Sequence, residues 1–215
     1  MDIGYILTVL LAIFFSMTLH ELMHGLVAHK LGDDTARLLG RLTLNPMKHI
    51  DPFMTLLLPL LIVVTNSLTG SNAPIFGGAK PVPFNPSRIK YDEWGVALMA
   101  IAGPLTNLFI AFVFYGAYVV SGVLPTSVAG QILITFVQVN IGFFAFNMLP
   151  IPPLDGSRVL YAFAPDFVRQ FMETIERYGL FVILAIVMLS GPLLQMYIIG
   201  VGRIVLSGFQ LVLGG

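Results

Sequence analysis

Long apolar runs dominate this chain, and several of them reach the length that crosses a lipid bilayer. A transmembrane helix needs about 20 apolar residues. Five runs meet or approach that length, and they cover residues 3–31, 94–121, 127–149, 175–190 and 192–212. A sixth run, 52–68, is shorter and contains Pro59. Only 10% of the residues are charged, which is too few to coat a water-soluble protein.

The runs predict an all-α polytopic membrane protein with about five to six transmembrane helices. The mean hydropathy of +0.89 agrees with this prediction. The formal net charge is zero, so nothing favours nucleic acid as a partner. The first run has no basic residue before it and no small-residue cleavage pattern, so we expect it to stay in the mature protein. Residues 1–215 are expected to form a single integral-membrane domain.

Three stretches between the runs cannot be regular helix. Residues 36–51 alternate polar and apolar side chains and contain Asn45-Pro46, which predicts extended structure and turns. Residues 69–90 are rich in glycine and proline. The third stretch, 150–156, holds three prolines and one acidic residue. Broken backbone at membrane depth is tolerated only where protein or a water-filled cavity covers it, so we expect re-entrant or extended segments near a functional site.

The strongest chemical signal is the stretch from His20 to His24, in which Glu21 follows the first histidine. Residues four apart on a helix share a face, so both imidazoles can reach one metal ion. The glutamate can act as a base toward water, and zinc is the usual metal of this motif. Chance produces the pattern about once in a thousand chains of this composition. Ionisable groups inside an apolar run are costly and usually functional.

A catalytic zinc normally has three protein ligands and one open position. The chain has no cysteine, so the third ligand must be another histidine or an oxygen donor. His29 is nine residues after His20 and faces away from it on a helix. His49 is a weaker candidate, and Asp155 at the end of an apolar run is a better one. The alternative role for Asp155 is to cap the helix that follows it.

Three motifs in the same order resemble the site-2 protease family of intramembrane metalloproteases. They are His20-Glu21-x-x-His24, Gly103-Pro104-Leu105-Thr106-Asn107 and Asn147-x-x-Pro150-x-Pro152-Pro153-Leu154-Asp155-Gly156. Residues 80–86 are similar to smaller bacterial and archaeal members, and the resemblance runs from about residue 15 to residue 160. It implies that Asp155 is the third ligand of one zinc ion, and that Asn107 and Asn147 lie in the active-site neighbourhood near the substrate backbone. No PDZ or CBS domain is expected, because the chain has no room for one.

The motif and the resemblance together predict an intramembrane zinc metalloprotease with Glu21 as the catalytic residue. Its expected substrate is a transmembrane protein or peptide, cut within or near a membrane-spanning segment. Two alternatives remain: a membrane-embedded zinc hydrolase of a lipid or small amide, and a metal-binding transporter. The catalytic core is expected over about 3–160, followed by a C-terminal transmembrane pair over about 175–212. Residues 165–178 suit either a short amphipathic surface helix or a connecting loop.

Basic residues predict the orientation in the plasma membrane. Those that follow His20 are Lys30, Arg37, Arg41 and Lys48, and they favour a cytoplasmic active site with the N-terminus outside. If Asp155 is to meet the histidines, the chain must return to that side before residue 94. Residues 52–80 are therefore expected to dip and return, with 69–80 passing near the zinc in extended form. The stretches 36–50 and 69–84 either bind an unwound substrate by strand addition or serve as structural plugs.

Overall fold

The computed structural model describes residues 3–51 and 80–214, together with Leu57 and Val64. Its α-helices in these ranges are α1 Ile3–Lys30, α2 Thr35–Leu38, α3 Asp92–Ser121, α4 Val128–Asn147, α5 Asp155–Phe163, α6 Asp166–Glu176 and α7 Gly179–Leu213. Short 3-10 turns cover Pro46–Lys48 and Pro86–Arg88. No strand occurs in the described part of the chain. The all-α prediction is therefore confirmed.

Four described helices are long and apolar enough to cross a membrane: α1, α3, α4 and the Phe181–Leu213 part of α7. The first three coincide with the apolar runs 3–31, 94–121 and 127–149 to within about two residues, as expected for helix boundaries. Most of the run 52–68 lies outside the described residues, so whether it spans or re-enters stays a prediction. Most of 69–80 also lies outside them.

The last two apolar runs form two helical segments that meet at a kink. Together they make helix α7, from Gly179 to Leu213, and the backbone departs from helical geometry at Ser190, with φ −113° and ψ 15°. Pro192 follows two residues later. A proline inside a helix lacks an N–H and its ring clashes with the carbonyl four residues earlier, which bends a helix without necessarily ending it. The kink lies at the boundary between the two runs, and whether they cross the membrane as the expected pair stays a prediction.

Helix α7 belongs to the same bundle as the helices before it. Ala111 of α3, Val137 and Ile141 of α4, and Phe209 of α7 form one buried apolar cluster. Small side chains such as alanine let helix backbones approach closely, which favours association of helices in a membrane.

The segment that follows α1 and the segment that precedes α3 meet at one end of the bundle, and both carry basic residues. The Lys80 N–H donates to the His49 carbonyl over 2.8 Å, and the Lys90 N–H donates to the Leu31 carbonyl over 2.8 Å. The chain has thus returned to the C-terminal end of α1 before α3 begins. The topology predicted from the sequence also requires the chain to return to this side before residue 94.

Residues 36–51 form turns and short helical pieces, with extended backbone at Asn45. The Asn45 side chain accepts a hydrogen bond from the Met47 N–H, and Pro46 starts the short 3-10 turn. Such local side-chain bonds compete with strand formation. The turns predicted here are confirmed, whereas the short helical pieces were not expected.

Candidate metal centre

Helix α1 carries the first two candidate ligands on one face in its second half. His20 and His24 are buried, and their rings meet edge to face with centroids 4.6 Å apart. Their Nε2 atoms are 3.0 Å apart. The Asp155 Oδ2 atom lies 3.1 Å from Nε2 of His20 and 3.4 Å from Nε2 of His24. The structure therefore brings the three predicted ligands together.

The loop after α4 delivers Asp155 to this position. Leu154 occupies the N-cap position of α5 and Asp155 is the first residue of the helix, so the carboxylate faces the imidazoles instead of capping. The Ser157 hydroxyl donates to the Leu154 carbonyl over 2.7 Å and closes the first turn. A Cβ atom on Gly156 would fall 2.7 Å from the Leu149 carbonyl oxygen. Glycine therefore permits the close return of the loop onto its own backbone.

The hydrogen bonds behind the imidazoles determine which ring nitrogens carry protons. His20 Nδ1 lies 2.6 Å from Oδ1 of Asn107, and His24 Nδ1 lies 2.8 Å from the Met99 carbonyl oxygen. Both partners are acceptors, so each Nδ1–H donates and each Nε2 of a neutral ring keeps a lone pair. Histidines that bind metals are commonly held in this way by a bond from the other ring nitrogen.

Charge at the cluster also favours a cation. Oδ2 of Asp155 is buried beside both Nε2 atoms, and a neutral imidazole that donates from Nδ1 has no proton there to share with it. An anionic oxygen that faces two nitrogen lone pairs needs a positive charge between them. Two imidazoles and one carboxylate form a zinc donor set. Ligands about 2.0–2.1 Å from a tetrahedral ion are roughly 3.3–3.4 Å apart, close to the separations found here.

Helix α3 supports the cluster from behind through a glycine and an asparagine. A Cβ atom on Gly103 would fall 2.6 Å from Cε1 of His24 and 2.7 Å from Cε1 of His20. Glycine at this position thus lets α3 lie directly against both rings. Asn107, one turn further along, is fully buried beneath His20.

Asn140 on α4 extends this support, and the sequence analysis did not predict this role. The Asn107 Nδ2 donates to Oδ1 of Asn140 over 3.0 Å, and Asn140 Nδ2 donates to the Phe136 carbonyl over 2.8 Å. The chain of bonds fixes which end of the Asn107 amide faces His20. Full burial of Asn107 favours this supporting role over contact with substrate. The sequence does offer one signal for Asn140: a carboxamide side chain inside an apolar run, where polar groups are costly and usually have a role.

The other predicted residues occupy separate positions. His29 pairs with Asp34 at 2.7 Å, so the prediction that His29 faces away from the cluster is confirmed. The His49 Nε2 donates to the Thr43 carbonyl over 2.9 Å, and His49 is outside the group of three that could hold a metal. The half-buried Asn147 donates from Nδ2 to the Phe143 carbonyl over 3.1 Å, one turn back in α4.

The candidate base is held by an extended segment of the chain, residues 80–82, which we call the 80–82 strap. The Val82 N–H donates to Oε2 of the buried Glu21 over 2.8 Å. Arg41 donates from Nη2 to the carbonyls of Lys80 and Pro81, over 2.7 Å and 3.3 Å. A guanidinium that donates to two backbone carbonyls fixes the strap beside Glu21.

Comparison with known proteins gives consistent matches. The sequence model described as Peptidase family M50 matches residues 8–130 and 120–190. The chain is 38% identical over 183 residues to the Bacillus subtilis protein named "Putative zinc metalloprotease YwhC", covering 82% of this chain and 78% of that protein. It is 29% identical over 199 residues to a Rip2 protein of Mycolicibacterium smegmatis with the same description, covering 90% and 70% of the two chains. No solved structure matches.

Proposed function

Because the chain belongs to peptidase family M50, the site-2 protease family, we propose that it cleaves membrane-protein substrates within or near a transmembrane segment. Members are zinc metalloproteases, and the apolar helices make this chain an integral membrane protein. The observation that carries the proposal is the convergence of the His20 and His24 Nε2 atoms with Oδ2 of Asp155, beside Glu21 on an apolar helix. These three residues are the proposed ligands of one zinc ion.

The proposed chemistry assigns one proton-transfer residue. Zinc, when bound, supplies a Lewis acid that makes water nucleophilic near neutral pH. Glu21 accepts the proton of the attacking water and returns it to the leaving amine of the scissile bond. Since the Val82 N–H binds Oε2 of Glu21, we assign proton transfer to Oε1. Asn147 remains our candidate for donating a hydrogen bond to the developing oxyanion.

The substrate must expose its peptide bond before it can be cut. A transmembrane helix uses its own N–H and C=O groups internally, so it must unwind locally. Strand addition at the 80–82 strap is disfavoured, because the Lys80 and Val82 N–H groups and the Lys80 and Pro81 carbonyls already bond to His49, Glu21 and Arg41. Pro81, the second residue of the strap, has no N–H to offer a substrate strand. These bonds favour a structural role for this part of the stretch 69–84.

We propose that the centre opens toward the cytoplasmic face of the plasma membrane, with the N-terminus outside. Basic residues concentrate at the end of the bundle where Lys80 and Lys90 pair with the chain near α1. Residues 1–215 form one proposed domain, since α7 packs against α3 and α4. The chain has no cysteine, so the exposed Arg88 can be replaced as Arg88→Cys and labelled selectively. Labelling from the cytoplasmic side is expected, and labelling only from outside would contradict the orientation.

The decisive experiment measures zinc content and cleavage of a model transmembrane peptide for wild type and Glu21→Gln. Loss of the general base is expected to slow cleavage by about 10²–10⁴-fold while zinc stays bound. Glu93→Gln is a matched control, because Glu93 pairs with Arg169 at the surface of the protein. His20→Ala is expected to lose zinc as well as activity.

The same preparations separate the competing functions. Full cleavage by zinc-loaded Glu21→Gln would refute the role of Glu21 as base. Hydrolysis of lipids or small amides without cleavage of the peptide would favour the lipid or amide hydrolase. Metal flux across vesicles that persists in Glu21→Gln, with no hydrolysis by wild type, would favour the transporter.

A further inference from the structure

Helix α6 presents aromatic side chains to the outside of the bundle. Phe167 and Phe171 lie four residues apart on one face and are 74% and 65% exposed. Phe163 at the end of α5 is 69% exposed. Asp166 and Gln170, also four residues apart, form a neighbouring exposed polar face. A short helix with an aromatic face beside a polar face is typical of helices that lie in a membrane interface.

The charged residues of α6 are largely satisfied by neighbours within the protein. Arg169 pairs with Glu93 at 3.4 Å and donates from Nε to the Tyr161 carbonyl over 3.1 Å. Glu173 accepts from the Tyr161 hydroxyl over 2.6 Å, and Glu176 pairs with Arg158. The protein thus pairs Arg169, Glu173 and Glu176 with its own groups and leaves the phenylalanines exposed, which is opposite to the usual arrangement of a helix on a protein surface in water.

The aromatic face is continuous with two helices that span the membrane. Phe163 packs edge to face against Trp94 in the first turn of α3, with ring centroids 4.7 Å apart. The spanning part of α7 begins at Phe181, five residues after the end of α6. Tryptophan and other aromatic residues concentrate where a membrane meets water. Helix α6 therefore sits at the level of the bundle where spanning helices enter the bilayer.

From this arrangement we propose that Phe163, Phe167 and Phe171 insert into the headgroup and acyl boundary of the lipid bilayer, so that α6 is an interfacial anchor. Helix α5 begins at Asp155 and is bound to α6 through Tyr161 and Arg158. The anchor consequently holds α5, the helix that carries Asp155, at a fixed depth in the membrane. The inference rests on membrane integration and is independent of the proposed proteolysis.

The anchor can be tested by lipid quenching of a single tryptophan. Trp94 is the only tryptophan, so Trp94→Phe gives a silent background. Into it we would introduce Phe167→Trp or Phe171→Trp, and as matched controls Asp166→Trp or Gln170→Trp on the polar face. Each full-length protein is reconstituted into phosphatidylcholine vesicles that carry bromine either near the headgroup or at the chain ends.

Tryptophan at 167 or 171 is expected to lose emission in brominated vesicles, more with shallow than with deep bromine, and to resist aqueous acrylamide. Tryptophan at 166 or 170 is expected to behave in the opposite way. Equal bromine quenching at all four positions, or strong acrylamide quenching at 167 and 171, would overturn the proposal. Protection at 167 and 171 from both quenchers would also overturn it, because protein rather than lipid would then cover the face.

Discussion

Replacing Asn107 with alanine should weaken zinc binding while leaving all three proposed ligands in place. The substitution removes the acceptor that lies 2.6 Å from Nδ1 of His20. Without that acceptor the ring can rotate or carry its proton on Nε2, the nitrogen that faces Asp155. His24 keeps its partner, because this is the backbone carbonyl of Met99. The perturbation therefore acts on one ligand of three.

The magnitude follows from the burial of this pair. Loss of a partner behind a metal-binding histidine typically lowers metal affinity by about 10–100-fold. That range corresponds to about 1.4–2.7 kcal/mol. The same change leaves His20 Nδ1 and Asn140 Oδ1 without their described partner, and each unsatisfied buried group costs about 1–3 kcal/mol of folding free energy. We therefore expect a fall in thermal stability to accompany the weaker binding.

The assay is competition for zinc with a chromophoric chelator in detergent, on protein whose helical content has been checked by circular dichroism. Thr106→Ala is the matched control, since the Thr106 hydroxyl donates to the Ala102 carbonyl within α3. Asn140→Ala tests the next step and should have a smaller effect, because the bond between Asn107 and His20 survives. A folded Asn107→Ala protein that binds zinc as tightly as wild type would refute this reasoning.

Three further predictions concern the surroundings of the centre. Gly103→Ala should abolish zinc binding measured by the same competition, because its Cβ would overlap both imidazoles, whereas Gly142→Ala, which meets no atom within 4 Å, should bind normally. Arg41→Gln should lower the cleavage rate with zinc content unchanged, because a charged hydrogen bond worth about 1.5–3 kcal/mol no longer fixes the 80–82 strap. An equal loss of cleavage in Arg37→Gln, which changes an exposed arginine, would contradict this. Burial raises the pKa of Asp33, but hydrogen bonds to its carboxylate lower it more, so it lies below its ordinary value of 3.8. A depressed pKa stabilises the fold above that value and the contribution fades as pH falls through the folded-state pKa. Asp33→Asn should thus melt below wild type at neutral pH and approach it in acid, and a difference that does not change with pH would oppose the assignment.

Much of the metal centre could be predicted from local sequence. Two histidines one helical turn apart share a face wherever the helix lies, so the pairing of His20 with His24 needed no tertiary information. The cost of burying ionisable groups in an apolar run marked the same place as functional. The position of Asp155 could not be predicted from local spacing, because its distance from the histidines depends on how α4 and the loop after it return to α1. The family resemblance supplied that link before the structure did.

The supporting residues were harder to predict, because hydrogen bonds between distant helices leave no periodic trace in a sequence. Asn140 contacts Asn107 across 33 positions of the chain, and the Val82 N–H reaches Glu21 across 61. A backbone N–H is present at every residue except proline, so no sequence pattern identifies the one that orients a catalytic carboxylate.

The sequence by itself determined that this chain lies in a membrane, that its helices span it, and that one helix presents two imidazoles beside a carboxylate. These features depend on composition and on periodicity within single segments. Only the tertiary structure decided how the loop after α4 places Asp155 against His20 and His24, that Asn140 supports Asn107, and that Glu21 is held by Val82. Each of these depends on which segments pack together, and that choice is made by shape and by buried hydrogen bonds between parts of the chain that are far apart in sequence.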